Sequence, residues 1–344
     1  MMSKKEKDLS INIIRRKEVV EILKVAIDFE VLAYSDFSRL HIPYDMLSNR
    51  SSYDYVNEKV AINILVVMAE KLNFEEFVQT IEFICRVKLI PLIGSVFRPG
   101  DKVSANIERL FLAMKKASLR SELSLEYHSG KAYLTQRKTL KSTDGSIFLE
   151  LFNIIYLIEL ICYLSGESWK PSIIGIQSTC HSRFKRIRAL RGSTFFVCRS
   201  LTSISISERL LKKTTSVLDH YHYHSFPIQD DLKNIDFPYL IELTIKPYAS
   251  DRKFNIDSLS TLINVNKRTI QRKLKEHGTN FSEIFNRLFF REVKKLLVET
   301  ELPIFRMAIL LGYSNSGHFI RSFKKYCRIS PHQYRLLNTS RKCG

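Results

Sequence analysis

One small pattern occurs twice in the last third of the sequence and constrains the fold there more than any other feature. The copies are LSTLINVNKRTIQRKLKEHG, residues 259–278, and PIFRMAILLGYSNSGHFIRSFKKY, residues 303–326. In each copy a segment with apolar residues every three or four positions is followed by a polar break and by a second such segment that is basic. Each copy therefore predicts two short helices joined by a tight turn.

The first copy separates apolar residues that pack from basic residues that stay exposed. Leu259 and Leu262 lie on the inner face of the first helix, and Asn266 can cap the second helix. Ile270 and Leu274 hold that second helix against the core. Its exposed face then consists of Lys267, Arg268, Gln271, Arg272 and Lys275.

The second copy has the same order of segments, but a proline lies at its helix start and a glycine at its turn. Pro303 suits the first helical position, and Gly312 supplies the turn because glycine enters the left-handed conformation at little steric cost. Ser314 or Asn315 can cap the next helix, which Phe319 anchors. The candidate contact residues of this helix are Ser316, Gly317, His318, Ile320, Arg321 and Lys324.

A long helix is predicted between the two copies. Asn280 followed by Glu283 is typical of a capping box, and the helix stops before Pro303. Its apolar positions are Phe281, Ile284, Phe285, Leu288, Phe289, Val293, Leu296 and Leu297. About 19 residues span roughly 28 Å, which is near the ~34 Å between successive major-groove faces of B-DNA. One chain could thus read two adjacent turns of the duplex.

The charge of this region indicates a polyanionic partner. From residue 233 to 344 there are 21 basic and 9 acidic residues, a net charge of +12, whereas the whole chain carries +19. A basic second helix after a tight turn is the geometry of a helix-turn-helix reader in the DNA major groove. Arginine can pair with guanine, glutamine with adenine, and lysine neutralises phosphate. The residues themselves therefore favour binding to double-stranded DNA.

The segment from about residue 237 to 338 resembles the C-terminal DNA-binding domain of the AraC/XylS family of bacterial transcription regulators. The resemblance rests on both copies, on the helix between them, and on the closing SPxxYR, where Ser330 caps and Pro331 starts a last helix. It implies that both second helices contact bases and backbone, through Arg268, Gln271 and Arg272 in the first and through Ser316, Gly317, Ile320 and Arg321 in the second. Three residues depart from the family pattern. Asn266 stands where serine is common, Pro303 where a capping serine or threonine is common, and Phe289 where arginine is common.

The first two thirds of the chain mix helices with strands. Helical periodicity covers about residues 15–34, 57–72, 74–86 and 106–118, and ELSLEYHSGKAYLTQR predicts a hairpin that turns at Ser129 and Gly130. Two more strand candidates are SWKPSIIGIQS and STFFVCRSL. This part resembles the arabinose-binding-type domain of regulators such as the ornithine-utilisation regulator. The resemblance implies small-molecule sensing or dimerisation and does not identify an effector.

These observations predict an α+β sensory domain over residues 1–218, a linker over 219–236, and an all-α domain over 237–338. The all-α domain has two helix-turn-helix motifs joined by a long helix. In the linker, Asp219, His220, His222 and His224 alternate with tyrosines, and on a strand the imidazoles would share a face, as in a metal site. A linker supplies few supporting ligands, so we predict no metal and no cofactor.

Membrane insertion, export and catalysis are not indicated. The apolar stretch 147–164 carries Glu150, Asn153 and Glu159, which would be costly in a bilayer, and so predicts a buried core helix. The charged N-terminus lacks a signal-peptide pattern, and the scattered cysteines suit a reducing cytoplasm. There is no phosphate-binding glycine loop, no GxSxG and no HExxH.

The sequence therefore predicts a cytoplasmic, sequence-specific transcription regulator, an activator more often than a repressor in such a family. Its expected partners are promoter DNA and RNA polymerase, with a small effector or a second copy of the chain acting on the first domain. Alternatives are an effector-independent regulator, a dual activator and repressor, a bifunctional enzyme-regulator, and non-specific architectural binding, whose affinity would scarcely depend on DNA sequence.

Overall fold

The structure is a computed structural model, in which residues 11–49, 51–117, 122–128, 130–137, 146–179, 181–215 and 235–339 are described. The chain forms two compact units. Of the described residues, the first comprises those within 12–42 and 58–215, and the second comprises Ile11 and those within 43–57 and 235–339. The linker predicted over residues 219–236, with its three histidines, lies almost entirely outside the described residues, and so does Ser129 of the hairpin turn.

The first unit contains seven α-helices of four residues or more among its described residues. They are α1 (Arg16–Asp28), α2 (Glu58–Lys71), α3 (Phe74–Phe83), α4 (Val103–Ala117), α5 (Ser146–Ser165), α6 (Ser182–Lys185) and α7 (Glu208–Lys212). After α3 the chain passes through a π-helical turn, Ile84–Leu89, and a single helical turn, Ile90–Leu92. The first predicted helix ends early, at Asp28, because Glu30 takes a left-handed conformation with φ 58°.

The strands of the protein are short except in one hairpin. They are β1 (Ile13–Arg15), β2 (Tyr55–Asn57), β3 (Glu122–His128), β4 (Lys131–Arg137), β5 (Ile173–Gly175), β6 (Thr194–Phe196) and β7 (Thr202–Ile206). The predicted hairpin is confirmed, since β3 and β4 are antiparallel and pair Leu125 with Leu134. Both further strand candidates contain a strand, namely β5 and β6.

Five strands form one mixed sheet in the order β3-β4-β7-β5-β6. Strand β7 is antiparallel to both β4 and β5, and β5 is parallel to β6. Strand β7 was not predicted from the sequence, although Thr202–Ile206 alternates polar and apolar residues and buries Ile204 and Ile206. This strand joins the hairpin to the β5 and β6 pair and makes one sheet of them.

Helix α5 is a core helix of the first unit, as predicted. By length and composition the segment Ile147–Ser165 could cross a membrane, but most of it is buried inside the protein. Its fully buried Glu150 accepts hydrogen bonds from the backbone N of Gln177 (2.6 Å) and Thr202 Oγ1 (2.8 Å), and from the backbone N (3.1 Å) and Oγ of Ser178. A buried carboxylate with four donors is well compensated, so it fastens α5 to β7 and to the loop after β5.

The second unit contains seven helices among its described residues. They are α8 (Phe237–Ile245), α9 (Ile256–Ile263), α10 (Lys267–Glu276), α11 (Phe281–Glu299), α12 (Ile304–Leu310), α13 (Ser316–Cys327) and α14 (Pro331–Thr339). Their apolar faces share one core, in which Phe289, Phe319 and Phe323 are completely buried. The fold class is as predicted, an α+β region followed by a helical domain with two helix-turn-helix motifs.

Residues 43–57 belong to this second unit although they lie far from it in sequence. Ser52 Oγ donates a hydrogen bond to Glu292 Oε1 of α11 at 3.2 Å. Within the segment itself, the Tyr53 hydroxyl donates to Asp45 Oδ1 at 2.8 Å. The second unit is therefore built from two separate stretches of chain.

Candidate nucleic-acid interface

In each helix-turn-helix motif the turn contains a residue in the left-handed conformation, but the residue type differs between the two motifs. In the second motif Gly312 follows α12 with φ 80°, as predicted. In the first motif Asn264 ends α9 with φ 51°, and asparagine is one of the few other residues that tolerate this conformation. Pro303 is the residue before α12 rather than its first helical residue, since ψ 142° at this position is extended and the helix begins at Ile304.

Helix α10, the first reader helix, is anchored on one side and exposed on the other. Ile270 and Leu274 are completely buried, and the Asn266 side chain caps the helix by accepting from the backbone N of Arg268 at 2.9 Å. Of the predicted contact residues, Asn266, Arg268, Gln271, Arg272 and Lys275 are exposed and Lys267 is half-buried. The structure thus brings all six together on one accessible side of the helix and at its start.

Two cations of this helix have acidic neighbours within the protein. Lys267 Nζ lies 3.0 Å from a carboxylate oxygen of Asp257 in α9, and Arg272 forms an ion pair with Glu276 one turn further on. Both pairs are solvent-exposed, so each contributes little to stability and can give way to another anion. A hollow of about 610 Å³ borders the helix and is lined in part by Gln271 and Lys275.

Helix α13, the second reader helix, has the same construction. Phe319 and Phe323 are completely buried, and the Asn315 side chain caps the helix by accepting from the backbone N of His318 at 2.9 Å. Asn315 is therefore the cap among the two candidates that the sequence offered. His318, Ile320, Arg321 and Lys324 are exposed, and Ser316 and Gly317 are half-buried at the helix start.

Arg321 lies back over the start of its own helix. A Cβ atom added at Gly317 would lie 3.5 Å from Arg321 Nη1 and 3.3 Å from Asn315 Oδ1. Among the described residues, Arg321 has no acidic partner, in contrast to Arg272. Its guanidinium is thus available at the end of the helix where a glycine keeps the backbone accessible.

Helix α11 joins the two motifs and has the predicted length of 19 residues, Phe281–Glu299. The Asn280 side chain caps it by accepting from the backbone N of Glu283 at 3.0 Å. The Glu283 carboxylate accepts from the Thr279 hydroxyl at 2.9 Å. Six of the eight predicted apolar positions are buried, and Phe281 and Leu296 are half-buried.

Arg252, in the loop before α9, connects parts of both motifs. Its guanidinium carbon lies 5.1 Å from the ring centre of Phe289 in α11 and 5.8 Å from that of Tyr313, next to the turn of the second motif. Arg252 Nη1 also donates to Asn286 Oδ1 at 2.9 Å. An arginine from another loop thus covers the ring of Phe289.

Helix α14 closes the unit in the way that the SPxxYR motif indicates. Ser330 Oγ accepts from the backbone N of Gln333 at 3.2 Å, and the Gln333 side chain accepts from the backbone N of Ser330 at 3.0 Å. Arg335, the last residue of the motif, donates to the carbonyl oxygens of Leu297 (3.0 Å) and Leu302 (2.7 Å). These contacts satisfy carbonyl groups at and beyond the end of α11.

The sequence comparisons agree with this geometry. A family described as a helix-turn-helix domain matches residues 259–336. Over 248 residues the chain is 30% identical to the HTH-type transcriptional activator CfaD of Escherichia coli, a match that covers 70% of this chain and 86% of that protein. The chain belongs to the AraC/XylS family of transcription regulators.

Other known proteins match different shares of the chain. The ornithine utilization regulator of Pseudomonas aeruginosa is 27% identical over 222 residues, which cover 63% of this chain and 66% of that protein. Among solved structures, the C-terminal domain of AraT, a response regulator from Geobacillus stearothermophilus, is 28% identical with a TM-score of 0.27, covering 29% of this chain and 84% of that chain. The protein is a DNA-binding transcription regulator, and CfaD and the ornithine utilization regulator are likewise regulators rather than enzymes.

The hypothesis of a metal site can be compared with the structure. Among the described residues, no three histidine, cysteine, aspartate or glutamate side chains form a group able to hold a metal ion. His220, His222 and His224 lie outside those residues. Arg252 and Asn264 were not found from the sequence. Asn264 had a usable signal, because an Asn followed by an apolar residue and a helix cap is typical of a left-handed helix end.

Proposed function

We propose that this AraC/XylS protein binds promoter DNA sequence-specifically by placing α10 and α13 in two successive major-groove segments. The observation that supports this proposal is that both helices have the same anchored construction and carry their cations on the exposed side. An asparagine caps each of them, and a buried apolar pair holds each in place. The 19-residue helix between them has a length near one turn of B-DNA.

In this proposal the predicted contact residues divide by chemistry. Arg272, Gln271 and Arg321 read base edges, because guanidinium and amide groups form paired hydrogen bonds with guanine and adenine. Arg272 exchanges its exposed partner Glu276 for DNA. Lys267, Arg268, Lys275, His318 and Lys324 contact phosphates and set the position of each helix. Asn266, Ser316 and Gly317 keep the helix starts close to the DNA backbone, and Ile320 contacts an apolar base edge.

We further propose that the protein acts in the cytoplasm as an activator that contacts RNA polymerase, and that its first unit senses a small effector or dimerises. The activator assignment is supported by the name of CfaD, an HTH-type transcriptional activator that is 30% identical to this chain. The sensing role is supported by the α+β architecture of the first unit and by its match to the ornithine utilization regulator.

DNA binding is tested by selecting duplexes from a random library with the full-length protein and then measuring affinity for the selected sequence and for random duplex at physiological salt. We expect the selected sequence to bind at least a thousandfold more tightly. The Arg272→Ala and Arg321→Ala variants should each lose about 1 to 3 kcal/mol on the selected sequence and relax the base preference at one position.

The matched control is Arg39→Ala, which removes the same charge from an exposed site in the first unit. It should leave the base preference unchanged. Equal loss by the Arg272 and Arg321 variants on every sequence would identify both arginines as phosphate contacts. Equal affinity of the unaltered protein for selected and random duplex would contradict sequence-specific binding and favour the architectural alternative.

A further inference from the structure

The five-stranded sheet of the first unit has one apolar face and one polar face. Alternate residues on one face, such as Leu134, Ile174 and Ile204, are completely buried in the core. On the other face lies an open cavity of about 450 Å³, which borders strands β3 to β7. This volume is within the range of cavities that hold small organic molecules. Neither the DNA-binding geometry nor the family comparison assigns it a ligand.

One end of the cavity carries the carboxylate of Glu126, whose position is fixed by hydrogen bonds. Glu126 Oε1 accepts from Ser124 Oγ (2.9 Å) and Thr135 Oγ1 (3.1 Å), while Oε2 accepts from His128 Nε2 at 3.2 Å. The hydrogen bonds from His128 and Ser124 lower the pKa of Glu126 below its ordinary value. The carboxylate therefore stays ionised at neutral pH, and its remaining lone pairs can accept from a ligand donor.

The other end is basic. Arg199 lines the cavity and is exposed, and among the described residues it has no acidic partner. Its Cγ lies 3.6 Å from the position that a Cβ would occupy at Gly175. Ser200 and Ser203 also line the cavity, and Ser203 Oγ lies beside the same Gly175 position as Arg199 Cγ. A guanidinium beside a hydroxyl is a chemistry that suits a carboxylate.

Gly175 keeps the floor of the cavity open. A Cβ at this position would lie 2.5 Å from Ser203 Oγ, closer than such atoms approach in proteins. Any larger side chain would therefore displace the hydroxyl and fill the space below Arg199. The lining also includes apolar and aromatic side chains, with Phe196 half-exposed and Ile173 half-buried.

The two ends are about two strand spacings apart. Glu126 is bonded to Thr135 of β4, and Arg199 packs at Gly175 of β5, with only β7 between these strands. Neighbouring strands lie about 4.8 Å apart, which places the two ends roughly 10 Å from each other before side-chain reach. On the opposite face of β7, Thr202 is bonded to the buried Glu150, so this wall is fixed before a ligand arrives.

We infer that this cavity binds a small organic acid whose carboxylate meets Arg199 and whose other end carries a hydrogen-bond donor, an ammonium or a hydroxyl, that meets Glu126. A simple anion would use only one end, and a simple amine would use only the other. The assignment rests on the proposed sensor role of the first unit and names the effector class. Binding is measured without DNA, so its failure would leave the DNA-binding proposal standing.

The test uses the full-length protein and three probes of one chain length. They are 6-aminohexanoate, which has both end groups, hexanoate, which lacks the donor, and hexylamine, which lacks the carboxylate. We expect ligand-observed NMR to show millimolar binding of 6-aminohexanoate, with both comparison probes at least several-fold weaker. Absence of 6-aminohexanoate binding, or equal binding of all three probes, would overturn the inference.

Two variants locate the site. Arg199→Gln should weaken binding of 6-aminohexanoate about tenfold, and Glu126→Gln should weaken it while leaving hexanoate binding unchanged. The matched control is Arg191→Gln, an exposed arginine outside the cavity, which should bind like the unaltered protein. Because Arg199 is exposed, its variant should keep the melting temperature of the first unit. Unchanged binding by the folded Arg199 variant would overturn the assignment of the cavity.

Discussion

Replacing Arg252 by alanine should loosen the second helix-turn-helix motif without touching a DNA-contacting residue. The arginine makes two cation–π contacts, at 5.1 Å and 5.8 Å, and a hydrogen bond of 2.9 Å to Asn286. Each cation–π contact contributes about 0.5 kcal/mol at a half-exposed site, and the charged hydrogen bond contributes about 1.5 kcal/mol. Because neighbouring contacts are not additive, we expect a total of about 2 kcal/mol.

Hydrogen exchange measured by mass spectrometry on the full-length protein reports this loss locally. A loss of about 2 kcal/mol corresponds to roughly thirtyfold faster exchange of amides in α12 and α13. The single tryptophan, Trp169, lies in the first unit and should report an unchanged melting temperature there. Affinity for the selected duplex should fall as well, because the second reader helix would be less firmly placed.

The control is Lys253→Ala, which removes the neighbouring positive charge from an exposed position. We expect it to leave the exchange of α12 and α13 unchanged. Arg252→Lys should recover part of the protection, since lysine keeps the charge but not the planar guanidinium that stacks on rings. Equal exchange in the Arg252→Ala protein and the unaltered protein would refute a stabilising role of these contacts.

Further predictions concern backbone conformation and buried charge. Gly312→Val should destabilise the second unit by about 1 to 2 kcal/mol, because φ is 80° there, and abolish reading by α13. Asn264→Val should have a similar cost in the first motif, whereas Asn264→Gly should change hydrogen-exchange rates little. If Gly312→Val, Asn264→Val and Asn264→Gly all behaved alike, the left-handed turn would be contradicted. Glu150→Gln should destabilise the first unit by about 2 to 3 kcal/mol, since an amide NH₂ would face donor groups. Thermal unfolding followed by Trp169 fluorescence checks this value, and an unchanged midpoint would count against it.

Local sequence signals were sufficient to predict most helices of the second unit. The bounds of α11 follow from Asn280 at one end and the residues before Pro303 at the other, and periodicity identified its buried face. Caps at Asn266, Asn315 and Ser330 involve residues only two or three positions apart, so their chemistry is visible in the sequence. The candidate contact residues lie on the predicted exposed faces, and their contacts with DNA stay a prediction.

Interactions between distant residues were not predictable in the same way. The contact of Arg252 with Phe289 depends on how a loop folds back over α11, which no local pattern encodes. Strand β7 was missed because five residues beside two other short strands give a weak signal, and only pairing with β4 and β5 defines it. The cavity between Glu126 and Arg199 likewise depends on strand order, since these residues are far apart in the sequence.

Residues 43–57 pack with the DNA-binding unit, and this affects which segments a chimaeric regulator must contain. A fragment that begins at residue 233 leaves behind Ser52 and its hydrogen bond to Glu292. A gene fusion that transplants only the last third of the chain onto a foreign sensor would therefore lose the contacts that residues 43–57 make within this unit. Recombination that keeps both stretches together preserves that unit, so we expect functional chimaeras of this regulator to retain residues 43–57 along with the helices.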